Sequence, residues 1–266
     1  MSTISNLAFI HPDARLGENV VVDAFAHIDR DTVIGDNCHI RPHVSILAGA
    51  RIGNNNTFYE GCVIAATPQD FRWKGEDSHV VIGDNNVIRE HVIINRSIIG
   101  GGATRIGSNS FVMAQSHIAH DSEIGDCVVI GNSVKVAGKV RIGDYTIVSS
   151  CALVHEGFEL GKWVLIKGGC RVNNNVPPYC VMAHNPISYF GVNSWVLRKA
   201  GKSEDLIDEV AKCYRHLYQS NTSPFNAVRR IMADVEPSEE RDDILDFVKG
   251  HNYHLAAISL SDYLED

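Results

Sequence analysis

The chain has 266 residues, 44% hydrophobic and 21% charged, with a formal net charge of −8. That length supports one large domain or two ordinary ones around a sizeable core, and the acidic balance argues against nucleic-acid binding, which needs a basic face. No stretch approaches the roughly 18 apolar residues of a membrane span, and the start MSTISNLAFIHP lacks the basic and apolar regions of a secretory signal, so a cytoplasmic location is expected. The cysteines are Cys38, Cys62, Cys127, Cys151, Cys170, Cys180 and Cys213. They are odd in number and form no CxxC pair, against both a disulfide framework and a zinc knuckle.

Read from Ile10, every sixth residue as far as Val172 is apolar except Asp70, Glu76 and Gly100. The aliphatic is often followed by Gly and then Asp, Glu, Ser or Asn, and the residue four places after it is usually small: Thr32, Cys38, Cys62, Ser110, Ser122, Cys170. This pattern reads as a two-residue strand, a turn served by glycine's freedom or by an Asn or Asp tolerant of positive φ, and a small inward residue at a corner. Such units bury their apolar face only by stacking. A hexapeptide period predicts a parallel β-helix: three hexads close one triangular coil, and residues 18 apart stack at about 4.8 Å. The whole run makes roughly nine to ten coils. Spacing does not give the hand, and the general crossover rule would favour a right-handed one.

The three exceptions mark interruptions. Asp70 and Glu76 fall in a polar, aromatic loop over 67–79, and Gly100 in a shorter excursion over 99–105; both lengths preserve the hexad phase. After Val172 the register ends in NNNVPPYC, whose prolines cannot donate ladder hydrogen bonds. Helical patterning follows. Ser203, Ser223 before Pro224, and Ser238 are expected N-caps. The expected division is a β-helix over 1–190 and an α-helical domain over 191–266.

Chemistry concentrates in FVMAQSHIAHDSEIGDCVVIGNSVKVAGK, Phe111 to Lys139. Hexad phase places His117 and His120 outside the prism, where an isolated histidine is usually a solvated surface group. Two features distinguish His120. Asp121 follows it directly and is placed to fix its tautomer and stabilise its cation, as a general base requires. Gly138 stacks on it one coil later, where an unshielded backbone N–H is suited to hold a developing oxyanion.

HIAHD, the loop residues QDFRWKGE (Gln69 to Glu76), GGATRIG, VAGK, VPPY and FGVN (Phe190 to Asn193) before a helical domain together resemble the acyl-carrier-protein-dependent UDP-N-acetylglucosamine O-acyltransferases, which open lipid A biosynthesis. The resemblance covers nearly the whole chain. It implies a left-handed β-helix and a homotrimer whose groove lies between neighbouring prisms. It implies transfer of an (R)-3-hydroxyacyl group from acyl carrier protein to the 3-hydroxyl of UDP-N-acetylglucosamine, without cofactor or metal. By the resemblance His120 is the base, Asp121 its partner and Gly138 the oxyanion donor. Asp70, Arg72, His117, His155 and Glu156 are implied at the sugar and acyl chain, and Asn193, Arg198 and Lys199 at the nucleotide. Gly168 stands where the family measures the acyl chain, and without a side chain there a long donor is expected. Lys139, Arg72, Glu156 and Trp195 depart from a common histidine, lysine, glutamine and glutamate.

Other readings are a zinc hydratase resembling the γ-class carbonic anhydrases, with His117 as a ligand, and a non-catalytic β-helical scaffold. The N-acyltransferase of the same pathway usually carries an additional N-terminal domain, whereas here the hexads begin at Ile10.

Overall fold

In the computed structural model, residues 2–252 and 254–256 are described. The first 190 residues or so wind into a left-handed parallel β-helix with three faces. The first face holds eleven strands, the second nine and the third eight. All pair in parallel except Ser188–Val192, which runs antiparallel to Cys180–Ala183. Most strands are two residues long, the first outward and the second, the hexad aliphatic, buried: Phe111–Val112, His117–Ile118 and Glu123–Ile124 make one coil. Partners are 18 apart, as in Ile106↔Ile124↔Ile142. Across the 67–79 loop the offset becomes 30 (Ile64↔Ile94) and across the second excursion 24 (Ile82↔Ile106). The phase therefore survives both insertions.

Three expectations change. First, the glycine directly after the aliphatic is not the left-handed residue, although glycines three places after it, such as Gly49 and Gly61, are. Positive φ falls three places after the aliphatic, at Asn37 (55°), Asp121 (59°) and Cys127 (56°) among others. Glycine is needed two places earlier for close approach. The Asp144 Oδ1 accepts from the Asp126 N–H at 2.8 Å, and a Cβ on Gly125 would lie 2.2 Å from that oxygen. The same link joins Glu18 to Asp36 and Ser108 to Asp126, so Gly-Asp and Gly-Asn are one device: a carboxylate or amide reaching back to the coil below. Gly125→Ala is expected to cost about 1–3 kcal/mol in thermal or urea unfolding, the range for overpacking a closed site; an unchanged midpoint would mean the corner can open at no cost.

Second, Ala103–Ile106 is a strand paired to His79–Ile82, so the expected loop over 67–79 ends one residue earlier, at 78, and the expected excursion over 99–105 ends at 102. Third, the prism continues past Val172 with an offset of 16, Ile166↔Met182, and the expected boundary at 190 falls inside the strand Ser188–Val192. Two prolines did not stop the coil because they sit between strands, in the turn. Among the described residues four helices follow: α1 Ser194–Lys199, α2 Glu204–Tyr218, α3 Pro224–Asp234 and α4 Glu239–Gly250. Ser203, Ser223 and Ser238 cap the last three by accepting from Leu206, Asn226 and Arg241 N–H, each such cap being worth about 1 kcal/mol. The segment 257–266, with which the expected helical domain ends, lies outside the described residues.

The core is one aliphatic column per face, with the small residues at the corners. Thr32, Thr104, Ser110 and Ser122 are all buried there. Asn56 and Asn86 stand in the same phase, and each side-chain amide bonds to the next coil, its oxygen accepting from a backbone N–H there (Asn86 N–H to Asn56 Oδ1, 2.9 Å; Ser110 N–H to Asn86 Oδ1, 2.8 Å). All seven cysteines are free, and burial pushes the Cys62 thiol up to about 12, which makes it an inert packing group. The helical domain is fastened to the last coils by the stacked rings of Tyr189, Tyr214 and Tyr218 and by the Tyr179 hydroxyl on Asp243. Among the described residues no helix is long and apolar enough to cross a membrane.

Candidate active site

The corner after the strand His117–Ile118 carries His120, two residues past the buried aliphatic and therefore outside the prism. It is nevertheless only 5% exposed, because the 67–79 loop folds over it. Its Nδ1 lies 2.8 Å from Asp121 Oδ2 and its Nε2 3.1 Å from Asp70 Oδ2. Expectation placed this ring on an open surface. The cover comes from a loop about fifty residues earlier, which hexad phase does not position.

Asp121 is itself held from the neighbouring coil: the Ser97 hydroxyl donates to Oδ1, and the Asp121 N–H donates to Thr104 Oγ1 at 2.8 Å. Its left-handed backbone turns the carboxylate back toward the preceding imidazole. Gly138 stacks on His120 as the 18-residue rule requires, the Lys139 N–H donating to the His120 carbonyl at 2.9 Å. A Cβ on Gly138 would sit 2.4 Å from the ring, so only glycine admits the imidazole here. The Gly138 N–H donates no hydrogen bond among the described residues.

Asp70 is gripped by Arg72, whose Nε and terminal nitrogen reach both carboxylate oxygens at 2.6 to 3.1 Å. These bonds, with the Arg72 backbone N–H, hold the Asp70 carboxyl well below the usual carboxylate range. His117 bonds Asn95 Oδ1 through Nε2 at 2.5 Å; burial, then Lys135 and His120, lowers its pKa, keeping it neutral. His155 Nε2 lies 3.3 Å from an Arg171 nitrogen. These groups surround a cavity of about 450 Å³ that includes Asp70, His117, His120, Gly138, His155 and Glu156.

A larger cavity of about 810 Å³ lies between the loop and earlier coils, near Arg51, Trp73 and Arg96. It has no paired acid and base comparable with His120 and Asp121.

Not every expected residue joins this cavity. Gly168 occupies another corner, beside the second face and three coils beyond His117, about 14 Å along the stack. Asn193 is buried at the start of α1, its amide donating to the Trp163 carbonyl at 2.9 Å. Arg198 pairs with Glu204 at 2.6 Å, and Lys199 lies over the Trp195 ring at 4.5 Å. Within one chain these last three do not meet His120. Glu156 lines the cavity but its carboxylate is engaged by Arg72 at 2.7 Å and faces Lys139 at 3.8 Å. Asn95, Ser97 and Lys135 went unnoticed in the sequence; Lys135 pairs in register with His117, so the 18-residue rule would have found it.

Comparisons with known proteins show which family carries this prism. Hexapeptide-repeat models of bacterial transferases match 13–48, 31–66 and 103–138, and the UDP-N-acetylglucosamine O-acyltransferase domain 2 model matches 175–254. The acyl-(acyl-carrier-protein)–UDP-N-acetylglucosamine O-acyltransferase of Syntrophobacter fumaroxidans is 40% identical over 91% of this chain and 94% of its own. That of Thermodesulfovibrio yellowstonii is 34% identical over 94% and 98%. The crystal structure of a UDP-N-acetylglucosamine acyltransferase from Bacteroides fragilis superposes with a TM-score of 0.93 at 43% identity, covering 97% of this chain and 100% of that one. The chain belongs to the family of acyl-carrier-protein-dependent UDP-N-acetylglucosamine O-acyltransferases.

Proposed function

We propose that this protein transfers an (R)-3-hydroxyacyl group from acyl carrier protein to the 3-hydroxyl of UDP-N-acetylglucosamine, the first step of lipid A biosynthesis, with His120 as general base. The observation that carries this is the corner itself: an imidazole at the wall of a cavity with one nitrogen on Asp121 and the other on Asp70, and an unengaged Gly138 N–H beside it. The sugar hydroxyl takes the place of Asp70 at Nε2 and gives up its proton there as its oxygen bonds to the thioester carbon. The oxyanion so formed is met by the Gly138 N–H. Collapse breaks the C–S bond, and the departing thiolate takes the proton from the His120 imidazolium. Asp121 stabilises that cation throughout.

His117 and His155 border the path of sugar and acyl chain. The outward residues His117, Lys135, Leu153 and Arg171 follow one another up the second face, and Gly168 stands at its edge without a side chain to end the groove. A long acyl donor fits that run. Asn193, Arg198 and Lys199, apart from His120 within one chain, would serve the nucleotide of a site completed by a neighbouring subunit of a closed homotrimer, and this reading assigns the enzyme to the cytoplasm. No step calls for a metal or bound cofactor.

The test is acyl transfer to UDP-N-acetylglucosamine by purified, chelator-treated protein, using 3-hydroxyacyl carrier proteins of increasing chain length. Product is expected, with the highest kcat/KM for a long chain; no product at any length would overturn the reading, and a short-chain optimum would remove Gly168 from its role.

A further inference from the structure

His120, Gly138 and Glu156 form one column, each a coil above the last, with the Gly157 N–H donating to the Gly138 carbonyl at 3.0 Å. The missing side chain of Gly138 opens a window in that column, with the base on one side and the Glu156 carboxylate on the other. The 67–79 loop lies across the window. Near its ends it is tied to the prism by the Asn95 amide on the Thr67 carbonyl, 2.7 Å, by the Gly101 N–H on the Asp77 carbonyl, 2.8 Å, and by the Ser78 hydroxyl on the Ser97 carbonyl; at its middle Arg96 lies over the Trp73 ring, 5.5 Å. Between the end ties Phe71 is fully exposed, and the Lys74 N–H bonds within the loop, to Glu76. The other side-chain link from this part of the loop to the corner coils, besides Asp70 on His120, is Arg72 on Glu156 at 2.7 Å.

From this geometry we infer that Glu156 is a positioning residue for the acceptor: it anchors Arg72, and Arg72 in turn sets where the Asp70 carboxylate stands relative to His120 Nε2. Arg72 is suited to this because its planar fork engages both oxygens of Asp70 while the same terminal nitrogen has a second N–H for Glu156. A lysine at 72 has no fork, and a glutamine at 156 no charge. Lys139, at 3.8 Å, balances the charge of Glu156 but does not touch the loop. Arg72, Lys139 and Glu156, three of the chain's departures from the common family residues, thus form a single unit. Glu156 acts through Arg72 and not by touching the sugar.

The part concerning the acceptor rests on the acyl-transfer reading; the anchoring of the loop does not. Both are measured. In the free protein, Glu156→Gln is expected to speed hydrogen exchange of the 67–79 amides several-fold, Glu156→Asp less so, and Lys139→Ala to leave it near the parent rate. In the transfer assay Glu156→Gln is expected to raise the KM for UDP-N-acetylglucosamine about three- to fivefold, the scale of a half-exposed ion pair, with turnover at saturating acceptor and the KM for acyl carrier protein close to the parent values. In the Arg72→Ala background, Glu156→Gln should add nothing. Additive effects on KM would mean that Glu156 meets the substrate directly, and unchanged loop exchange would mean that it anchors nothing; either result overturns the inference. If the parent protein transfers no acyl group, the function reading fails while loop exchange still decides the anchor.

Discussion

Replacing His120 by alanine is expected to lower turnover by about two to four orders of magnitude, the usual contribution of a general base, while the prism stays folded. The ring faces away from the aliphatic columns, so its loss removes nothing from the core. It does leave the Asp70 and Asp121 side chains, 14% and 11% exposed, without the group they share. Each keeps another partner, Arg72 for Asp70 and the Ser97 hydroxyl for Asp121, and neither carboxylate is stranded. Circular dichroism and the unfolding midpoint should therefore stay near those of the parent as the rate collapses. Asp121→Asn should fall between the two, because the amide still orients the ring but no longer stabilises its cation. Near-parent turnover in His120→Ala would take the base role away from this residue.

Ile124→Asp is expected to prevent folding altogether. Ile124 is 3% exposed and packs between Ile106 and Ile142 in the column of the third face. Losing its buried surface costs about 2–3 kcal/mol, and an unpaired carboxylate in its place several more, against a total stability of about 5–15 kcal/mol. The conservative Ile124→Val should cost about 0.5–1.5 kcal/mol. Far-UV circular dichroism and urea unfolding of both variants measure this directly; a folded Ile124→Asp would mean that the coil at this point can admit water or slip its register. Because Ser122, two residues earlier, bonds the Ala137 carbonyl at 2.9 Å, the same defect would reach the corner holding Gly138.

The prism was readable from sequence because its period is short, its aliphatic columns are nearly unbroken, and both insertions keep the phase. The same arithmetic put Gly138 on His120. What it missed has a common cause. Hexad phase fixes what lies 18 residues away and nothing else, so it could not place Asp70 on His120 or bring Arg72 to Glu156, 84 positions apart. It also gave the corner glycine a conformational role, when the left-handed residue is two places on and the glycine yields to the next coil's carboxylate. The coil beyond Val172 escaped because its partners are offset by 16 and carry no aliphatic in the expected phase.

The His120 corner is bonded to the coils on both sides and packed against bare backbone, so it is stiff. The 67–79 loop lies outside the ladder and meets this corner through side chains alone, Asp70 on His120 and Arg72 on Glu156, so it is the more compliant wall. A substrate that fits poorly can be accommodated only by the compliant wall, since moving the stiff one means parting the ladder. Fit to the acceptor and the timing of its entry and exit are therefore properties of the loop and its anchor, while the strength of the base belongs to the corner. Substitutions that retune the first can leave the second untouched, and a new acceptor preference can arise without disturbing the chemistry.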